Sequence, residues 1–128
     1  MPINFNQNSS FSLKQIDVAS VKNEVKDLLI DSEEAVMAFQ TVRDQLIFTD
    51  KRIISVDVQG FIGAKKTFCS MPYSNIQYFA VQTAGFGELK PDNKLILTFS
   101  NSFTAEFNFK DKVDIGLIGR TISKYLLK

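Results

Sequence analysis

VRDQLIFTDKRIISVDVQG, residues 42–60, carries the signature of two strands folded back on a tight polar turn. Gln45 to Thr49 is one apolar run, and residues 52–58 form the next, with Thr49-Asp50-Lys51 between them. Ile53 and Ile54 are adjacent, and then Val56 and Val58 alternate with Ser55 and Asp57. Side chains of a strand point alternately to its two faces, so this period predicts one buried face and one in water.

The same pattern extends on both sides. Residues 35–42 form a strand that turns at Arg43-Asp44 into 45–49. Beyond Gly60 and Gly63, which bracket Phe61 and Ile62, residues 65–71 form another, centred on Thr67, Phe68 and Cys69. Pro72 ends it, because proline cannot donate to a ladder. Residues 75–83 follow, and Gly85, Gly87 and Pro91 then mark a loop. A hairpin of 94–99 and 103–109 turns at Ser100-Asn101-Ser102, with Phe103, Ala105, Phe107 and Phe109 alternating with polar residues. Seven antiparallel strands do not stay flat, so residues 35–109 are expected to curl into a barrel or bent sandwich.

Helices flank this β region. Ser12 and Gln15 have capping-box spacing, and Phe11 and Ile16 have that of a hydrophobic staple. Leu13, Ile16, Val21, Val25, Leu28 and Leu29 recur at helical intervals, which predicts a helix from 13 to 29 or 30 after a flexible tail over 1–10. Asp31-Ser32-Glu33-Glu34 reads as a solvated turn. At the other end Asp111 is the expected N-cap. Ile115, Ile118, Ile122, Tyr125 and Leu126 trace one face of a helix within 111–128 that plugs the barrel. Gly116 and Gly119 each cost up to ~1 kcal/mol relative to alanine in a helix, so this helix is expected to lie close against something. The whole of 11–128 reads as one domain.

Composition narrows the chemistry. The chain has 128 residues, 45% of them hydrophobic, with 15 Lys and Arg against 14 Asp and Glu. A net charge of +1 gives no long-range pull toward nucleic acid. There is no His, hence neither the commonest general base nor the commonest metal ligand. Cys69 is the single cysteine and has no imidazole partner, so an inert thiol is expected. No nucleophile–base pair, cofactor motif or calcium loop is present, and no enzymatic activity, metal or cofactor is expected. The first ten residues lack a basic region followed by an apolar run, and no stretch reaches the ~20 apolar residues of a membrane span, so the cytoplasm is the expected compartment.

Three blocks in this order, VRDQLIFTDKRIISVDVQG at 42–60, GAKKTFCSMPYSNIQYFAVQTAG at 63–85 and FKDKVDIGLIGRTISKYL at 109–126, resemble the bacterial pleckstrin-homology (PH) domain family. The resemblance implies a mainly β, PH-like seven-stranded bent antiparallel barrel capped by a C-terminal helix, to which the N-terminal helix is an addition. It also implies assembly into ring-like homo-oligomers and no catalysis. Where relatives carry an acidic segment, this chain has FGELKPDNK, with Glu88 and Asp92 offset by Lys90 and Lys94.

Two sets of site residues follow. Arg43, Lys51, Arg52, Lys65 and Lys66 are the cations that could hold a phosphate or an anionic lipid headgroup, since such groups favour several convergent charges. The opposing reading pairs Arg43 with Asp44 at the surface and has Arg52 support its turn. Ile76, Tyr78, Phe79 and Val81 belong to an expected edge strand, with Ile76, Tyr78, Ala80 and Gln82 on one face and Gln77, Phe79 and Val81 on the other. An extended peptide could add there as a further strand. Equally, one face is core and the other packs on the N-terminal helix or a neighbouring subunit. The N-terminal helix itself has its own barrel or the next copy as its partner. The leading expectation is a non-enzymatic binding and scaffolding domain whose partners are itself and a protein or peptide. The alternative is a peripheral module on anionic lipid.

Overall fold

The computed structural model describes residues 12–60, 65–83 and 93–127. The expectations for the tail over 1–10, for Phe11, for the loop at Phe61 and Ile62, and for the loop carrying Gly85, Gly87, Glu88, Lys90, Pro91 and Asp92 lie outside these residues. The fold is mainly β, with two sheets and a C-terminal helix. All seven strands expected over 35–109 are present, and one three-residue strand precedes them. The chain divides into two compact units, Gln15–Pro72 and a second that runs from Tyr73 and includes Leu13 and Lys14.

The five-stranded sheet, which from Gln15 onward belongs to the first unit, has the order β1 (Lys14–Ile16), β2 (Ala35–Gln40), β3 (Gln45–Thr49), β4 (Arg52–Gln59) and β5 (Lys65–Pro72). β2 to β5 pair antiparallel, with Ile47 opposite Ala38 on one side and Ile54 on the other. Those three residues and Val56 share a face and a buried cluster with Val21 and Val25. Register puts Met37, Phe39, Leu46, Phe48, Ile53 and Met71 on the opposite face, and they too are buried. The wet face expected along 52–58 is therefore not wet at Ile53 and Ser55, which are 0% and 6% exposed.

The single N-terminal helix is absent. The segment is instead β1, a 3-10 turn at Val18–Ser20 and a short helix α1 (Asn23–Leu28). Ser12 caps no helix, because residues 14–16 are extended. Asp17 accepts a hydrogen bond from the Ala19 N–H at 2.9 Å and starts the 3-10 turn. Val21 and Lys22 are extended before α1 begins. Gln45, 6% exposed, fixes this break: its Oε1 accepts from the Lys22 N–H at 3.0 Å and its Nε2 donates to the Ser20 carbonyl at 3.4 Å. The segment thus lies on its own sheet through Val21 and Val25.

The second unit holds a three-stranded antiparallel sheet, β6 (Ile76–Gln82), β7 (Asn93–Phe99) and β8 (Thr104–Phe109), in that order, and the helix α2 (Ile115–Leu126). Leu13 lies parallel to Phe109 on the β8 edge, donating to Asn108 O at 2.8 Å and accepting from the Lys110 N–H at 2.9 Å. The alternation along β8 is borne out, with Ala105, Phe107 and Phe109 buried. The α2 N-cap is Asp114, not Asp111: its Oδ1 accepts from the Leu117 N–H at 3.0 Å. Ile115, Ile118 and Ile122 form the buried stripe of α2, and Tyr125 stacks on Tyr73 with ring centroids 5.4 Å apart.

The expected close approach is at Gly119. A methyl there would lie 3.5 Å from Val81 Cγ1 and 3.9 Å from Phe79 Cε2, ordinary contact distances. Gly119→Ala should therefore raise stability by roughly 0.5–1 kcal/mol through reduced chain entropy and better helix propensity. Urea unfolding checks this, and a loss of stability would show that the helix cannot give way even to a methyl. Gly116 differs, since a methyl there would meet the capping Asp114 Oδ1 at 3.2 Å.

Candidate functional site

The structure does not bring the five predicted cations together. Arg43 sits in the β2–β3 turn, and its guanidinium donates to the Gly60 carbonyl at the far end of β4. Lys65, exposed, is opposite Gln59 at that same end of the sheet. Lys51 and Arg52 are at the other end, in the β3–β4 turn. Lys66 binds Glu24 of α1 at 2.6 Å, and this contact holds the Glu24 carboxyl below its ordinary range. Asp44 feels the charge of Arg43 but is more than a surface partner for it. Its Oδ1 accepts from the Val58 N–H at 2.9 Å, while burial pushes its carboxyl up, with Asp57 adding to the rise.

Arg52 is committed to the protein itself. Its Nε and Nη2 reach Glu33 Oε2 and Oε1, both at 2.8 Å. Nη2 also donates to the Leu28 carbonyl at 2.8 Å, and Nη1 to Ser70 Oγ at 3.0 Å. The Glu33 side chain is 1% exposed and is no solvated turn residue. It also accepts from Thr49 Oγ1 at 2.6 Å and from the Ile30 N–H at 3.2 Å. Burial pushes the Glu33 carboxyl up, but the hydrogen bonds from Arg52, Thr49 and Ile30 outweigh it and hold the group below its ordinary value. Thr49 Oγ1 also receives the Lys51 and Arg52 N–H groups, each at 3.0 Å. The turn from Thr49 to Arg52 is thus a clamp, closed over the buried Glu33 side chain, that joins the end of α1, the approach to β2, β4 and β5. Its sequence trace is an arginine beside a turn threonine with an acid just ahead of an apolar strand.

The second set lies together on β6. This strand hydrogen-bonds β7 on one side, and among the described residues no strand pairs with its other edge. The expected face assignment needs correction at its start. Ile76 is opposite Phe99 and Tyr78 opposite Thr98, so Gln77 is an extra residue, a β-bulge. The bulge puts Ile76 on the face of Phe79 and Val81, which are opposite Leu97 and Leu95. This face meets α2 at Gly119. Ile76 is buried and Phe79 half-buried. Tyr78, on the other face, is 62% exposed, Val81 is 41% exposed, and Leu117 of α2 is 39% exposed. An unpaired backbone edge therefore runs beside a helix, with apolar side chains accessible at both.

Two antiparallel sheets with a C-terminal helix laid on one of them define a pleckstrin-homology-like fold. The family model for the bacterial PH domain matches residues 4–126, and the chain belongs to that family. It is similar to a DUF1696 family protein with a pleckstrin-homology domain from Shewanella loihica PV-4, at 29% identity and a TM-score of 0.79, over 90% of this chain and 97% of that one. A pleckstrin homology domain from Shewanella amazonensis SB2B aligns at 34% identity and a TM-score of 0.68, over 88% of this chain and 90% of that one. Uncharacterized protein YjqA of Bacillus subtilis (strain 168) is 42% identical over 80 residues, which span 62% of this chain and 64% of YjqA. No helix among the described residues is long and apolar enough to cross a membrane.

Proposed function

We propose that the chain is a non-enzymatic binding and scaffolding domain of the cytoplasm that assembles with copies of itself, in the ring-like manner the family resemblance implies. In this reading it holds an extended protein or peptide segment against β6 beside α2. The observation that carries it is the outer edge of β6, which no strand pairs among the described residues, with Tyr78 and Val81 exposed. Such an edge gives affinity through main-chain hydrogen bonds and selectivity through the side chains flanking it. The absence of catalysis is supported by a chain without histidine and by a Cys69 thiol whose pKa burial pushes up, away from the thiolate.

The anionic-headgroup alternative has less behind it, because Arg52 and Lys66 are engaged by Glu33 and Glu24 and the remaining cations lie at opposite ends of the sheet. Light scattering after gel filtration tests the leading reading. The expected mass is a multiple of the chain mass, and a clean monomer at micromolar concentration overturns self-assembly. Co-sedimentation with anionic vesicles tests the alternative. The expected result is no binding at physiological salt, whereas salt-sensitive binding abolished by Lys51→Glu would favour lipid.

A further inference from the structure

One cation of α2 stands over the outer side of β6. The helix contains Arg120 and Lys124 and no acid from Ile115 to Leu126. Each residue turns a helix by about 100°. Gly119 faces Phe79 and Val81 of β6, and to one side of it runs the buried stripe of Ile115, Ile118 and Ile122. To the other side come Gly116, about 60° round from Gly119, and Arg120, about 100° round. β6 is the last strand of its sheet, so this second side overhangs its outer edge. The overhang is low. A methyl built on Gly116 would meet, among the described residues, only Asp114 Oδ1 and Arg120 Nη1 within 4 Å. Arg120 lies 3.9 Å from Asp114 Oδ2, long for an ion pair, and the two side chains are 70% and 64% exposed. Its guanidinium is therefore open to a second acid. Lys124 is engaged elsewhere, 5.4 Å from the centroid of the Tyr125 ring.

We infer that the segment taken up by β6 carries an acidic residue between apolar neighbours, and that its carboxylate pairs with Arg120. The inference rests on the peptide reading above and specifies the ligand. Charge complementarity selects it. The seven residues of β6, IQYFAVQ, carry no charge, so Arg120 is the charge that a strand added beside α2 meets. A guanidinium takes a carboxylate through two parallel hydrogen bonds, which fixes register as well as adding affinity. A lysine or arginine in the same place would face a like charge and be rejected. In an extended segment the two neighbours of that acid point to the opposite face. There Tyr78 and Ala80, both exposed, offer apolar surface to cover.

Selection of random linear peptides displayed on phage, against the wild type and against Arg120→Glu, tests this. Arg120 is an exposed side chain, so both Arg120→Glu and Arg120→Ala should fold as the wild type does, as circular dichroism and thermal unfolding check. The wild type is expected to select apolar–acidic–apolar peptides that protect β6 amides from hydrogen exchange. In fluorescence anisotropy a selected peptide should lose affinity roughly three- to tenfold when its acid is replaced by the amide. The same replacement should change little on Arg120→Ala, and Arg120→Glu should select Lys or Arg at that position. Peptides without an acid preference, or with one that Arg120→Glu leaves unchanged, overturn the Arg120 pairing and leave the peptide reading standing. Selections that yield no binder, or binders that protect no β6 amide, overturn both.

Discussion

Arg52→Ala lowers stability at pH 7 by about 3–5 kcal/mol, the usual cost of stripping the partner from a buried charge. The magnitude follows from where Glu33 sits. Its side chain is 1% exposed, and both its oxygens are bonded by the Arg52 fork. Removing the guanidinium also frees the Leu28 carbonyl and Ser70 Oγ of their donor. Arg52→Lys keeps a charge but not the fork, so it is expected to recover only part of the loss. Replacing Glu33 and Arg52 together by methionine should cost far less than Arg52→Ala, since no charge is then left buried. The pH dependence separates a clamp from simple packing. Glu33 has a folded pKa below its ordinary value of about 4.5, so its contribution is complete above that value and is lost as pH falls through the folded pKa. In Arg52→Ala the carboxyl takes up its proton at a higher pH than in the wild type, so the deficit shrinks between pH 7 and 4. Urea titrations of both proteins at the two pH values measure this. A deficit under about 1 kcal/mol, the scale of a surface pair, or one that grows in acid, contradicts the clamp.

That clamp also marks where the sequence stops being legible. The strands over 35–109 were readable because alternation and turn residues are local signals, and all seven lie within one or two residues of their expected bounds. What failed depends on contacts distant in the chain. Leu13 to Leu29 has helical spacing, yet Leu13 belongs to the β8 edge and Gln45, more than twenty residues away, bonds the Ser20 carbonyl and the Lys22 N–H where the chain breaks between its 3-10 turn and α1. Propensity is a weak prior against such tertiary demands. Glu33 looks like any acid in a turn until Arg52 and Thr49 are folded against it. The bulge at Gln77 is silent in a sequence where both faces carry apolar residues, so simple alternation puts Ile76 on the wrong one. Of the candidate sites, the β6 residues are legible as a strand because Pro72 and the following glycines bound it, and as an edge only through the family resemblance. The five cations were legible only as charges, since their positions depend on which end of the sheet each turn occupies.

Phe109→Ala is expected to cost about 3–5 kcal/mol, whereas Phe103→Ala, from the same alternating strand segment, costs about 1 kcal/mol. Phe109 is 0% exposed and lies opposite Asn93, whose Nδ2 donates to the Val113 carbonyl at 3.2 Å. On its other side, the Leu13 hydrogen bonds to Asn108 and Lys110 pin the backbone. With both flanks tied, the walls around the missing ring collapse little, and an uncollapsed cavity puts the loss toward the upper end of that range. Phe103 is only half-buried and stacks on Phe99 with centroids 6.2 Å apart, so solvent refills most of the space its ring leaves. Phe109→Leu, which keeps most of the volume, should lose less than about 1.5 kcal/mol. Comparable losses at 103 and 109 in denaturant titration would mean that burial does not set the cost along β8. Equal losses for the Ala and Leu variants at 109 would point instead to a specific need for the aromatic ring. The predicted ordering requires the hydrogen bonds at Leu13 and Asn93 to hold the second unit around Phe109 even after the ring is gone.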